Sequence, residues 1–70
     1  MKEITQRLRE ERIRLGLTQQ TLATAGGVLV NAQNTYERGV RVPNAIYLAN
    51  IAKIGVDVLY VVTGRRTPSR

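Results

Sequence analysis

The segment Leu17-Thr18-Gln19-Gln20-Thr21-Leu22-Ala23-Thr24-Ala25-Gly26-Gly27-Val28 decides how this chain is read. Thr18 is a good helix N-cap, because its hydroxyl oxygen can accept from a backbone N–H of the first turn. Leu22 and Ala23 then fall on the core side of a short helix, which Gly26-Gly27 ends. A second run begins at Leu29 or Val30 and closes at Tyr36-Glu37-Arg38-Gly39. The whole reads as a helix, a glycine turn and a second helix. Where two helices cross steeply, one residue of the turn needs a left-handed backbone, which Gly27 adopts without steric cost. Ala23 is small enough to let the helices approach, and Leu22, Val28 and Tyr36 supply apolar contact between them. Spacing alone leaves two readings open: an ordinary helical hairpin, or a helix held outward in the manner that fits the DNA major groove.

Working outward, Ile4, Leu8, Arg12 and Leu15 recur at helical spacing, with Arg and Glu on the other faces. Gly16 stops this first helix. Beyond Gly39, Pro43-Asn44 opens a fourth helix, with Pro in the first turn or Asn44 as the cap. Leu48, Ile51 and Ala52 form its apolar stripe, and Gly55 closes it. The segment from Val56 to Val62 has the valine content of a strand. Its place in a helical chain, with Asp57 before it and Gly64 after it, predicts a short helix instead. The expected architecture is all-α, with one domain over residues 1–64 and a mobile basic tail over 65–70.

Seventy residues make one small domain whose core is marginal. There is no Cys and no His, so neither a disulfide nor a structural zinc can support it. No apolar run approaches the roughly 18–20 residues that span a bilayer, and no signal-peptide pattern opens the chain; a cytoplasmic protein is the expectation. The formal net charge is +6. That balance favours an anionic partner such as nucleic acid, although a small basic protein with solvated charges has the same composition. Lys2, Arg7, Arg9, Arg12 and Arg14 outweigh Glu3, Glu10 and Glu11 at one end, and Arg65, Arg66 and Arg70 face no acid at the other. Between Leu15 and Tyr36 there is no charged residue.

The chain resembles the phage repressor/Cro-like (XRE-type) family of helix-turn-helix DNA-binding domains. The resemblance rests on Arg7-Leu8-Arg9, Arg12-Ile13-Arg14-Leu15-Gly16-Leu17-Thr18-Gln19, Leu22-Ala23, Gly27-Val28, Tyr36-Glu37-Arg38-Gly39, Arg41 with Pro43, and Leu48 with Ala52. The ending Gly55-Val56-Asp57-Val58-Leu59-Tyr60-Val61-Val62-Thr63-Gly64 looks like the close of many short phage-type regulators. It spans about residues 4–64. It implies a compact five-helix bundle of the lambda-repressor-like type, with the helix-turn-helix at helices two and three and the third helix in the major groove.

The resemblance also implies roles. Val30, Asn31, Asn34 and Thr35 fall where such domains read base edges. Gln19 falls where the DNA backbone is contacted and the recognition helix is braced. Arg38 and Arg41 supply further backbone contacts. Arg12 and Glu37 match a partly buried ion pair tying the first helix to the end of the third. The chemistry agrees, since an Asn amide pairs with adenine N7 and N6, and Val30 or the Thr35 methyl suits a thymine methyl. Readout weighted toward A·T pairs is expected. Asn31 and Asn34 can equally be plain surface amides, and Asn31 a late N-cap.

Three positions depart from the family's habit. Leu29 stands where a Ser cap is usual, Gln33 where an apolar core residue is usual, and Gly26 where the residue is often larger. We read the last two together: Gly26 makes room for Gln33, whose amide then bonds the turn backbone. The uncharged stretch leaves phosphate contacts to Gln19, backbone amides and basic residues around the motif, mainly Arg38 and Arg41 with the first helix as a further source, so the salt dependence of binding should be shallow. Val58, Leu59 and Val62 are too apolar for a solvated terminal helix and are candidates for a homodimer interface, which matches half-sites about one DNA turn apart.

Catalysis has little support: no His or Cys, no metal-ligand spacing and no phosphate-cradling glycine motif. The acids Glu3, Glu10 and Glu11 lie on one exposed helix. Neither a cofactor nor a small-molecule effector is expected, and 70 residues leave no room for a separate sensing domain. Two functions remain. One is a DNA-binding regulator, a repressor acting as a homodimer on double-stranded DNA. The other is a protein-interaction module of the same fold, an antitoxin or adaptor. The uncharged third helix and Leu29 favour this second reading slightly, whereas the Gln19, Arg38 and Arg41 perimeter and the resemblance along the whole chain favour the first more strongly.

Overall fold

A computed structural model describes residues 3–68, and every regular element in it is helical: α1 (Ile4–Arg14), α2 (Gln19–Gly26), α3 (Val30–Glu37), α4 (Ala45–Ala52) and α5 (Val58–Thr63). Each boundary has a local cause. Thr18 caps α2, its hydroxyl accepting from the Thr21 N–H at 3.0 Å. Asn44, rather than Pro43, caps α4 by accepting from the Tyr47 N–H at 2.9 Å. Asp57 caps α5 through the Tyr60 N–H at 3.2 Å, which settles the valine-rich segment as helix. Gly27 ends α2 in the left-handed region at φ 79°. An L side chain is strained there, which explains a glycine at that position.

The helices wrap one core of Leu8, Leu22, Tyr36, Tyr47, Ile51, Val56 and Val61. α2 lies against α3 and α4, α1 against α5 and α3, and α4 against α5. Ile4, Leu15, Leu17, Val28, Ala32, Leu48 and Val58 close over this centre from its edges. The stripe of α4 differs from the sequence reading. Tyr47 and Ile51, one helical turn apart, are buried, Leu48 is half-buried and Ala52 is exposed. The Tyr47 ring meets Tyr36 edge-on, with centroids 5.0 Å apart.

Glu11 corrects the sequence reading more sharply, because it is fully buried rather than exposed. Its carboxylate accepts from Arg14 Nε and Nη2, both at 2.8 Å, from Arg66 Nη1 at 2.7 Å and from the Asp57 N–H at 2.8 Å. These bonds hold its pKa at about 2, against an ordinary 4.5. The Arg14 hydrogen bonds are the main cause and burial works against them. The segment expected to be a mobile tail also makes defined contacts. Arg66 lies over the Tyr60 ring at 3.8 Å, and the Thr67 N–H and hydroxyl both donate to Asp57. The expected tail's last two residues, 69 and 70, lie outside the described residues, as does Lys2.

Candidate functional site

The outer surface of α2, the Gly27 turn and α3 gathers most of the side chains singled out from the sequence. α3 is only eight residues long and has no side-chain N-cap, so its placement depends on its inner face. Tyr36 and Gln33 are buried there. Arg12 Nε donates to Glu37 Oε1 and Oε2 at 3.0 and 2.9 Å, and Arg12 Nη1 donates to the Leu17 carbonyl at 3.0 Å. The Glu37 side chain is 3% exposed and that of Arg12 15%. One guanidinium thus fixes the end of α3 both to α1 and to the chain entering α2.

Gln33 extends this network inward. Its Nε2 donates to Glu37 Oε2 at 2.7 Å, and its Oε1 accepts from the Tyr47 hydroxyl. The expectation that Gln33 bonds the turn backbone, in space left by Gly26, is therefore corrected. The space at Gly26 belongs to Tyr47: a Cβ built there would lie 2.4 Å from the ring. The turn carbonyl of Gly26 accepts instead from Asn50 Nδ2 at 3.1 Å. Gly26 and Gln33 do belong together, but through the tyrosine between them. Burial pushes the Tyr47 hydroxyl above its ordinary range, so it stays protonated and donates. Among the described residues no buried side-chain nitrogen or oxygen lacks a partner.

With the inner face fixed, the outward side chains can be placed. Asn31 is exposed, while Val30, Asn34 and Thr35 are half-buried. Asn31 lies within the first turn of α3, not at its cap, which is Leu29. Asn34 Nδ2 donates to Gln19 Oε1 at 3.5 Å, a long bond that links α3 to the start of α2. The Thr35 hydroxyl donates to the Ala32 carbonyl at 2.8 Å. Arg38, the C-cap of α3, and Arg41 just beyond are both exposed.

Two shallow depressions of about 560 and 450 Å³ flank the turn. Gln20, Thr24 and Val30 line the first, and Ala32, Thr35 and Arg41 the second. Gly27, Val28, Leu29 and Asn31 belong to both. Leu29 between them is 79% exposed. A large apolar side chain at the position where a helix usually takes a small polar one marks it as a surface feature as well as a missing cap.

The remaining residues of the sequence reading lie elsewhere. Val58 is half-buried against the core, whereas Leu59 and Val62 are 41% and 45% exposed on α5. Several cations that a count would assign to an anionic partner are engaged within the fold. Arg7 Nε donates to the Val61 carbonyl at 2.9 Å at the end of α5, Arg12 holds Glu37, and Arg14 and Arg66 hold Glu11. No group of three His, Cys, Asp or Glu able to hold a metal occurs among the described residues. Nor is any helix there long and apolar enough to cross a membrane. No protein-family model, curated protein or solved structure matches the chain.

Proposed function

We propose that this chain is a sequence-specific double-stranded DNA-binding regulator of the lambda-repressor-like helix-turn-helix type. In this reading it is a repressor that occupies a palindromic operator as a homodimer and lays α3 in the major groove. The observation that carries the reading is the two-sided construction of α3. Its inner face is pinned by the Arg12–Glu37–Gln33–Tyr47 network, while Asn31, Asn34 and Thr35 face outward with Arg38 and Arg41 at the far end. A rigidly placed helix bearing amides suits base edges, which demand correct geometry. Arg38 and Arg41 suit flanking phosphates, which fix register without reading sequence.

The exposed Leu59 and Val62 support pairing through α5 and so two half-sites about one helical turn apart. With Arg38 and Arg41 as the two phosphate-contacting cations of each subunit, the salt slope is about −2 per subunit. The experiment is selection of bound duplexes from a random pool, followed by sequencing. An enriched palindrome supports the dimeric operator reading. Enrichment of a single half-site keeps DNA recognition and removes the dimer.

One observation favours a second reading. An apolar Leu29 at the start of α3 suits a protein partner better than phosphate, and a protein-interaction module of the same fold would use it so. Absence of any enrichment at low salt would favour that module.

A further inference from the structure

We infer that the chain following α5 is a releasable strap: Arg66 and Thr67 lock α5 onto α1 and thereby set the face that Leu59 and Val62 present. The locking is independent of the DNA-binding reading. Its consequence for pairing rests on the homodimer reading above.

α5 needs holding. It has six residues, too few for a helix to persist alone, and one fully buried side chain, Val61. Arg7 holds its far end, Nε donating to the Val61 carbonyl at 2.9 Å and Nη2 to the Val62 carbonyl at 3.3 Å. Its near end is Asp57, whose N–H donates to Glu11 at 2.8 Å and whose Oδ1 caps the helix. The chain then turns at Gly64, φ 81°, and returns to that same near end. The Thr67 N–H donates to Asp57 Oδ2 at 3.0 Å and its hydroxyl to Oδ1 at 2.7 Å. Arg66 Nη1 donates to Glu11 at 2.7 Å, while its guanidinium covers the Tyr60 ring of α5 at 3.8 Å. Asp57 and Thr67, 10 residues apart, thus close a loop around the helix.

These contacts exceed what the two acids need. Glu11 already accepts twice from Arg14 and once from the Asp57 N–H, and Asp57 already caps α5. What Arg66 and Thr67 add is the position of the returning chain over the helix. They can also let go. Arg66 is 50% exposed, so undocking returns it to water, and Arg14 stays on Glu11, so no buried charge is stranded. A short helix fixed at one end by hydrated contacts is a unit that opens locally, below the cost of unfolding the whole core.

The test compares three full-length proteins: wild type, the double variant Arg66→Ala with Thr67→Val, and Arg65→Ala. The Arg65 side chain is exposed, so its loss removes the same charge and leaves the strap in place. Amide hydrogen exchange is the first readout. In α5 the Val61 N–H donates to the Asp57 carbonyl and the Gly64 N–H to the Tyr60 carbonyl; Leu22 and Leu48 report on α2 and α4. The double variant should exchange Val61 and Gly64 about tenfold faster, the order that one or two charge-assisted bonds supply. Leu22 and Leu48 should change much less, and Arg65→Ala should match wild type throughout. Equal acceleration at all four amides, or none at Val61 and Gly64, overturns the strap. Sedimentation equilibrium is the second readout. The double variant should raise the self-dissociation constant by a similar factor, and Arg65→Ala should leave it unchanged. Pairing that is unchanged in the double variant, with α5 loosened, overturns the link between strap and face. A wild type that stays monomeric removes the homodimer reading, and exchange alone then decides the strap.

Discussion

Glu37 and Glu11 are both carboxylates taken out of water, yet the molecule holds them in different ways. Glu37 has one cation, Arg12, which is itself nearly covered at 15% exposure, and one amide, Gln33. Glu11 has two cations, Arg14 and Arg66, which remain 47% and 50% exposed, and the Asp57 backbone N–H. The first set joins α1 to α3 and the turn. The second joins α1 to α5 and the chain after it. A covered pair is unforgiving, because removing one member strands the other in low dielectric. A pair whose cations stay hydrated can lose the carboxylate and let solvent take its place.

Arg12→Ala is the strongest test of that difference. It leaves the Glu37 carboxylate buried with only Gln33 beside it and should cost about 3–5 kcal/mol. Urea unfolding at neutral pH measures it. A loss below about 1 kcal/mol, the level of an exposed pair, would mean that the two glutamates are not held differently after all.

Gly26→Ala comes next and probes shape rather than charge. Its Cβ would lie 2.4 and 2.5 Å from two atoms of the Tyr47 ring and 3.3 Å from Ile51. The ring is rigid and its hydroxyl is committed to Gln33, so relief must come from the network or from the helices. Overpacking of this kind costs about 1–3 kcal/mol. Thermal unfolding of Gly26→Ala, alone and with Tyr47→Leu, sharpens the assignment. Gly26→Ala should cost much less in the Tyr47→Leu background than in the wild type if the ring is the obstacle.

Tyr47→Phe removes one oxygen and keeps the packing. It leaves the Gln33 carbonyl buried without its donor, at about 1–2 kcal/mol. The pair Tyr47→Phe with Gln33→Leu removes both partners of that bond and should regain part of the loss, the remainder being the Gln33 Nε2 donation to Glu37, which Arg12 must then hold alone. If the proposed function holds, duplex selection with the double variant should show a looser consensus, because α3 is then placed by packing without a hydrogen-bonded pin. An unchanged consensus would reduce the network to a stabilising role.

How much of this was legible in the sequence follows from the range of the forces involved. Helix ends were readable because their causes lie within four residues: Thr18, Asn44 and Asp57 as caps, Gly27 as the left-handed stop. Leu8, Leu22 and Ile51 were readable because apolar spacing reports burial. Tyr47 was not, because tyrosine occurs on surfaces and in cores alike, and only the missing Cβ of Gly26 makes room for it. Gln33 was recognised as anomalous, but its partners sit four and 14 residues along the chain. Glu11 could not be seen at all. It stands among Glu10, Arg12 and Arg14 in what reads as a charged helix face, and its second cation is 55 residues away. The Arg12–Glu37 pairing entered through the family resemblance; the local pattern gives no reason to join them across 25 residues. On the outer surface, residue types pointed to Asn31, Asn34 and Thr35, but the exposure of Leu29 depends on how α3 is docked.

The remaining test concerns the other glutamate. Glu11→Gln keeps an oxygen able to accept from the Asp57 N–H and releases Arg14 and Arg66 to water, so the loss at neutral pH should lie between about 1 kcal/mol, the level of a hydrated pair, and the about 3 kcal/mol to which a fall from 4.5 to about 2 corresponds. Its pH dependence is the sharper reading. The carboxyl sits at about 2 in the folded chain against an ordinary 4.5. A depressed pKa contributes stability that is fully present above the unfolded value and is lost as pH falls through the folded one. Wild type should therefore lose this contribution between about pH 4.5 and pH 2. Glu11→Gln, which stands in for the protonated acid, has none to lose. The gap between the two proteins in urea midpoint should be constant above that window and narrow within it. A gap that stays the same down to the bottom of the window would mean that Glu11 is held by shape and not by its charge. The contrast with Glu37 would then rest on geometry alone.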